Sequence, residues 1–497
     1  MKLKATLILV SVLSAAAMSL SAEKLVIIHT NDTHSQIDPM DDSGLGGVMR
    51  RKVLLDSLRS AYDNVVLVDA GDAVQGTLFF NIGRGEVEEK VLNALGYDYT
   101  ILGNHEFDNG MPGVKEIVGY SNAQWLSSNY NFDDTELAER FVKYDVRQFG
   151  DKKIGFMAIN LNPEGMISEG NYDGVEYLDP VKAANAVAWI LKNDEGADLV
   201  VALTHIGYTT SNGELADPEL IAQTENIDVV IGGHSHTLLL PDGNLPVKIK
   251  NLNGDEVLVA QLNKGGQNVG VIEVDLDNMT MNNSVIPVDS KFDAKPDAEL
   301  TEIIAPFRHG IDSIMSLKIA STPIALDQTR LLNLVSDFAL ARGRQLSDNV
   351  DFAIMNKGGI RRPLPKGDIT EGMIIMMQPF DNHIQVIDVK GSDLSEVFDV
   401  MAGTGGNGVS GNVEAVYDPV TKKCLSVTID GRPLDLDKTY RVATIDYLAN
   451  GGDYMKALRN GELIAQSENI VYIDLIEYLK KLKKVKSSSQ ERFKPKN

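Results

Sequence analysis

The sequence predicts an α/β protein in two unequal parts. A layered β-sheet domain with flanking helices comes first, and a smaller α+β domain follows across a linker helix. Three observations predict this. Residues 24–289 alternate short Val/Ile-rich runs with amphipathic stretches, the pattern of strands buried on both faces and covered by helices. Polar residues gather at the carboxyl end of each apolar run, where α/β sheets collect their sites. Composition then shifts across residues 289–315, and the order of elements changes after it. The 497 residues are enough for two or three domains. The expected division is 1–22 export signal, 23–290 first domain, 291–319 linker and helix, 320–485 second domain and 486–497 flexible tail.

The elements follow in order. "MKLKATLILVSVLSAAAMSLSAEK" opens with Lys2 and Lys4, continues as an apolar run and ends in small residues near Ala22. That is the order of a secretory signal, and the run is too short and too rich in small residues for an anchor. No cysteine lies near the cleavage site, so a lipid-anchored form is not expected. The mature protein is expected to be exported, periplasmic or secreted, with no membrane anchor. Strands are predicted at "KLVIIH", "NVVLVDA", "YTILG", "KIGFMAIN", "DLVVALTH" and "DVVIGG". Helices are predicted at "GVMRRKVLLDSLRSAY" and "VKAANAVAWILKND", and a more β-like tail runs to "GVIEVDLD". Beyond the linker, "TRLLNLVSDFALARGRQL" reads as helix, "DFAIMN" as strand and "GTGGNGVSGN" as a glycine-rich loop. The lone Cys424 excludes an internal disulfide and reads as a buried small apolar residue. A net charge of −23 argues against a nucleic-acid polymer as partner but leaves room for a small phosphate ligand. Nothing in the sequence sets the oligomeric state.

Five polar segments end strand candidates of the first part. They are "NDTH" with Asp32 and His34, "GD" with Asp72, "GNHEFD" with Asn104, His105 and Asp108, "TH" with His205, and "GGHSH" with His234 and His236. Five of the chain's 8 histidines fall here, whereas His29 lies inside a strand and reads as structural. Residues i and i+2 of an extended chain face the same side, so Asp32/His34 and His234/His236 can each offer two ligands to one site. Asp32, His34, Asp72, Asn104, His205, His234 and His236 are too many donors for one zinc-like ion and suit two. Such ions, about 3.5–4 Å apart, clamp the attacking and leaving oxygens of an in-line displacement. Imidazole mixed with carboxylate favours Zn, Mn, Co or Fe, without choosing among these divalent ions.

The blocks D-x-H, G-D, G-N-H-E, H and G-H-x-H resemble those of calcineurin-like metallophosphoesterases. The fuller forms "HTNDTHS", "DAGD", "GNHEFDNG" and "GGHSH" are similar to the secreted bacterial 5′-nucleotidase and UDP-sugar hydrolase branch. The resemblance implies that Asp32, His34, Asp72 and His236 hold one metal, and Asp72, Asn104, His205 and His234 the other. It also implies that His105 is no ligand but acts on the phosphoryl group or the leaving group, oriented by Asp108.

In the second part, "MNKGGIRRPL", "MQPFDNH" and "TIDYLANGGDY" resemble the 5′-nucleotidase C-terminal domain. That implies a base held between Phe380 and Tyr447, a phosphate met by Arg361 and a ribose bound by Asp453. Asn356 and Asn382 would contact the base or fix the loops. The family usually opens this domain with E-x-N-x-G-N-L, but here the chain reads "ALDQTRLLNLVSD". Asn333 and Asp337 match, the Glu and Gly do not, and Arg330 is offset, which leaves a second phosphate-binding arginine open. The implied substrate is a small-molecule nucleotide, foremost a nucleoside 5′-monophosphate, cleaved by metal-activated hydroxide. UDP-sugars, and 2′,3′-cyclic nucleotides with 3′-nucleotides, are the alternatives. A catalytically silent nucleotide-binding protein is the reading from another class.

Overall fold

The computed structural model describes residues 23–40, 43–210 and 213–496. The expected export signal, 1–22, lies outside the described residues. Two large sheets form the core of the first domain. In one, strands Lys24–Thr30, Asn64–Asp69, Tyr99–Thr100 and Gln124–Leu126 run parallel in that order, with Asn268–Asp275 antiparallel on the far side of the first. In the other, Lys152–Asn160, Leu199–His205, Val229–Gly232 and Glu256–Gln261 run parallel. The predicted strands therefore lie where expected, with one difference. Of "YTIL" only Tyr99 and Thr100 pair, because the buried Ile101 and Leu102 already lead into the turn.

Side-chain alternation explains the stacking. Leu25, Ile27, Val66 and Val68 of one sheet meet Phe156, Ala158, Val201, Leu203 and Ile231 of the other in one buried cluster. The intervening Val26, Ile28 and Leu67 face helices Val48–Ala61 and Glu86–Leu95. Met157, Val200, Ala202 and Val230 face helix Pro180–Asn193. That helix starts with proline, and the Asp179 carboxylate accepts from the Lys182 amide at 2.9 Å, satisfying a free helix-end donor. The four layers thus bring the carboxyl ends of both sheets to one edge. His29 is buried within its strand, over Gly270, and burial pushes its pKa down to about 4.

Helix Ala298–Ser316 joins the domains. Its Leu300, Ile304 and Ile311 share a cluster with Val87 and Val91 of the first domain and with Ile374 and Met377 of the second. The second domain has a five-stranded sheet around His383–Lys390 and Thr439–Ile445, covered by helices Gln328–Leu346 and Gly391–Gly403, and a four-stranded sheet. Cys424 is half-buried, not buried, in the four-stranded sheet, and burial pushes its thiol up to about 11.

One sequence expectation is corrected here. The tail from 486 is not a free end: Phe493–Pro495 adds a parallel strand beside Val413–Asp418, and Phe493 is buried. Asn333 and Asp337, matched above to a family motif, hold this tail. Asn333 Nδ2 donates to the carbonyls of Ser488 and Gln490, and Asp337 binds Arg492 at 2.7 Å. Arg330 binds Asp327 at the start of its own helix and does not line the cleft described below. Among the described residues no helix is long and apolar enough to cross a membrane.

Candidate active site

The candidate ligands stand on loops after the strands, in unusual backbone. Asp32, His34, Asp72, His234 and His236, five of the seven, have φ between 49° and 75°. Non-glycine residues rarely adopt this region, at about 1–3 kcal/mol each, and it concentrates at working sites. This corrects the extended geometry expected for Asp32/His34 and His234/His236. The members of each pair converge because left-handed turns redirect them. Glycines let the loops close. A Cβ on Gly233 would lie 2.8 Å from both the Ala70 carbonyl oxygen and His205 Nδ1.

Two groups of donors result, Asp32/His34/His236 and Asp72/His205/His234, each with ligand atoms within 4.8 Å of one another. His34 Nε2 and His236 Nε2 are 3.0 Å apart, and His236 Nε2 is 3.3 Å from Asp32 Oδ1. His205 Nε2 is 3.2 Å from Asp72 Oδ2, and Asn104 Oδ1 is 3.0 Å from His234 Nδ1. The donor set fits divalent cations. His205 Nδ1 donates to the Ala70 carbonyl at 2.7 Å and His34 Nδ1 to that of Val74 at 3.3 Å, which turns both Nε2 lone pairs inward. The buried His205 Nε2 has no hydrogen-bond partner. Burial alone would lower the His205 pKa, but the Asp72 carboxylate outweighs it and holds it at about 10. The spot therefore favours positive charge. Burial, aided by the Arg361 charge, instead keeps His34 well below its usual value and neutral, as a ligand imidazole must be.

The turn 103–108 is held from beneath. Glu106, buried, accepts from the Gly103 and Asp72 amides with Oε2, at 2.5 and 3.2 Å, and from the Ala73 amide with Oε1 at 2.9 Å. One carboxyl group thus sews the loop of Asp72 to that of Asn104. Burial, with Asp72 nearby, pushes this carboxyl up to about 8. Above it, His105 Nδ1 is 3.0 Å from Asp108 Oδ2. Burial opposes protonation of His105, but Asp108 and then Asp72 outweigh it, so its pKa is raised. The imidazole lies beside the ligands, its ring centre 5.4 Å from that of His34.

Over this edge lies a cavity of about 430 Å³ between the domains. Asp72, Asn104, His105, Asp108, His234 and His236 line one side, and Asn356, Arg361, Phe380, Asn382, Tyr447 and Asp453 line the other. Asp32, His34 and His205 are not in its lining. The Phe380 ring stacks on His105 with centroids 5.9 Å apart, and the Arg361 guanidinium lies 5.8 Å from the Phe380 ring centre. Asp453 accepts from the Tyr447 hydroxyl at 2.8 Å and from Asn356 Nδ2 at 2.9 Å. Arg84, Gln378 and segment 166–171 also line the cavity and were not singled out in the sequence. Gln378 stands just before "PFDN", the one signal that pointed near it. A second cavity of about 270 Å³ touches His234 and Ser235 and is walled by Asn162, Tyr177, Thr209, Glu214 and Asn407 among others.

Comparison with known proteins agrees with this division. A calcineurin-like phosphoesterase model matches residues 25–238, and a 5′-nucleotidase C-terminal domain model matches 313–460. A 5′-nucleotidase of Vibrio cholerae is 28% identical, covering 91% of this chain and 92% of its own. A trifunctional nucleotide phosphoesterase of Bacillus subtilis is 27% identical over 93% of this chain, which spans 34% of that longer protein. The crystal structure of a 5′-nucleotidase precursor from Thermus thermophilus superposes with a TM-score of 0.84 at 28% identity, covering 95% of this chain and 99% of that one. The chain belongs to the family that joins a calcineurin-like phosphoesterase domain to a 5′-nucleotidase C-terminal domain, and it is a metal-dependent phosphoric ester hydrolase.

Proposed function

We propose that the protein is an exported hydrolase that removes phosphate from nucleoside 5′-monophosphates. One observation carries the reading: the same cavity has four of the seven candidate ligands, Asp72, Asn104, His234 and His236, on one wall and two aromatic rings, Phe380 and Tyr447, on the other. Asp32, His34, Asp72 and His236 would hold one divalent ion, and Asp72, Asn104, His205 and His234 a second, drawn from Zn, Mn, Co and Fe. Such a pair supplies Lewis acidity to the phosphoryl oxygens and lowers the pKa of water. The rings would stack a base of any kind, since every base has a π-face. Arg361 would bind the phosphate as a planar donor. Asp453, steadied by Tyr447 and Asn356, keeps lone pairs for the ribose hydroxyls, and Asn382 would fix the base loop. His105, oriented by Asp108, would hold a proton at the leaving oxygen. Export rests on the sequence of residues 1–22, and sequencing the mature amino terminus tests it.

The second cavity favours a second reading. Its hydroxyl- and amide-bearing lining beside His234, with the Glu214 carboxylate among it, suits a sugar carried beyond the phosphate, as in a UDP-sugar. Phosphate release from AMP, 3′-AMP and p-nitrophenyl phosphate, and UMP release from UDP-glucose, by metal-loaded protein separates the readings. Release of phosphate from p-nitrophenyl phosphate alone defeats the nucleotide assignment, and no hydrolysis with metals bound supports a silent binding protein. His105→Ala is expected to keep its metals while kcat for AMP falls on the order of 10²-fold or more. Loss of the metals in that variant would make His105 a ligand.

A further inference from the structure

Segment 163–171 of the first domain reaches across one lip of the cleft. Lys456 of the second domain lies 2.9 Å from the Glu164 carboxylate, and Arg459 lies 3.8 Å from both Glu164 and Glu169. The Tyr454 amide donates to the Gly165 carbonyl at 3.3 Å, and the Tyr447 hydroxyl oxygen lies 3.4 Å from the Met166 carbonyl oxygen. Gly165 has φ +87°, and a Cβ there would lie 2.9 Å from the Tyr454 ring, so the approach needs glycine.

The segment is tied down along its length. The amides of Met166 and Ile167 both donate to the Pro163 carbonyl, and the Ile167 side chain is buried in a cluster with Phe107 and Tyr130. At its far end Asn171 Nδ2 donates to the carbonyls of Phe107 at 2.9 Å and Asp108 at 3.2 Å. Those carbonyls belong to the turn that presents His105 to Asp108. The opposite lip grips the same turn: Arg84 Nη1 bridges Asn109 Oδ1 at 2.8 Å and Asp381 Oδ2, of the second domain, at 2.6 Å.

We infer that segment 163–171 is a strut through which the docked second domain positions the His105–Asp108 pair, with Asn171 as the positioning residue. This rests on the role proposed above for His105. Docking at Glu164, Gly165 and Met166 fixes one end of the segment. The other end fixes the backbone of Asp108, and Asp108 sets the imidazole. Turnover is thereby tied to closure over a nucleotide, since Tyr447, a wall of the base pocket, is itself one of the docking contacts.

The test uses the full-length, metal-loaded enzyme with AMP. Asn171→Ala is expected to lower kcat on the order of 10–100-fold, as about 1 Å of misplacement does, with KM and bound metal unchanged. Asn171→Asp has the same shape without the donor and is expected to lose as much. In a His105→Ala background, Asn171→Ala is expected to cost nothing further. Glu164→Gln, which removes the ion pairs far from the chemistry, is expected to lower kcat in the same direction by a smaller factor. Full turnover by Asn171→Ala, an equal further loss in the His105→Ala background, or loss of metal overturns the strut. Full turnover by His105→Ala would instead overturn the underlying role of His105, and the strut with it.

Discussion

Gly103 has no room for a side chain. A Cβ there would lie 2.1 Å from Asp72 Oδ1 and 2.6 Å from the Asp72 amide. The first glycine of "GNHEFD" is thus where the loop carrying Asn104 presses on the loop carrying Asp72. Gly103→Ala is expected to drive the two apart and lower kcat for phosphate release by about 100-fold, with fewer metal ions per chain. Metal analysis beside the assay checks this, and a fully metallated, active variant defeats the account. The motif was legible because its residues are chemically rare together. What the letters did not carry was the left-handed backbone that makes Asp32/His34 and His234/His236 converge, because that conformation is fixed by neighbouring loops. Nor did the letters show that the Glu106 carboxyl group, besides holding its own turn, joins that turn to the loop of Asp72.

At the scale of elements, helix Glu86–Leu95 stands out for burying two carboxyl groups, Glu88 and Glu89. Burial pushes Glu88 from 4.5 up to about 7, and it holds Glu89 well above its usual value. Between about pH 4.5 and 7 the folded chain holds a proton on Glu88 that the unfolded chain has released. Its contribution to stability is therefore full below that window and lost as pH rises through it. Glu88→Gln cannot ionise. It is expected to match the wild type near pH 5 and to exceed it at pH 8 by up to about 3 kcal/mol, read from urea midpoints. An equal gap at both pH values would rule out ionisation as the cause. Strands of the first domain were legible because runs such as "VVALTH" are buried on both faces, which leaves a continuous apolar signature. "YTIL" has the same signature and yet only half of it pairs, since burial in a turn writes the same letters as burial in a strand.

Across the whole molecule, the sequence pattern marks the two domains but not what fastens them. Beside the apolar cluster around the joining helix, the polar contacts between domains are single, scattered residues: Asp38 with Arg308 on the joining helix, Gln36 with Arg362, Arg84 with Asp381, Glu164 with Lys456. None belongs to a repeated or periodic pattern, so none could be read in advance. The tail was missed for the same reason, because Asn333 and Asp337 lie more than 150 residues before the groups they bind. Deleting 491–497 strips Phe493 from its pocket and leaves Asp337 without Arg492. It is expected to destabilise the second domain by about 3 kcal/mol, mostly through lost burial, while metal binding at the first domain persists. Hydrogen exchange resolved by domain checks this, and equal loosening of both domains would contradict it.

The left-handed ligands bear on how such a site would decay. Five side chains sit where glycine or asparagine would be more comfortable, at about 1–3 kcal/mol apiece, so the loops are held taut against their own preference. Once a site like this no longer had ions to hold, drift toward glycine at these positions would be downhill for folding. Aspartate and histidine at five such positions around one site are thus residues that folding alone would not choose there.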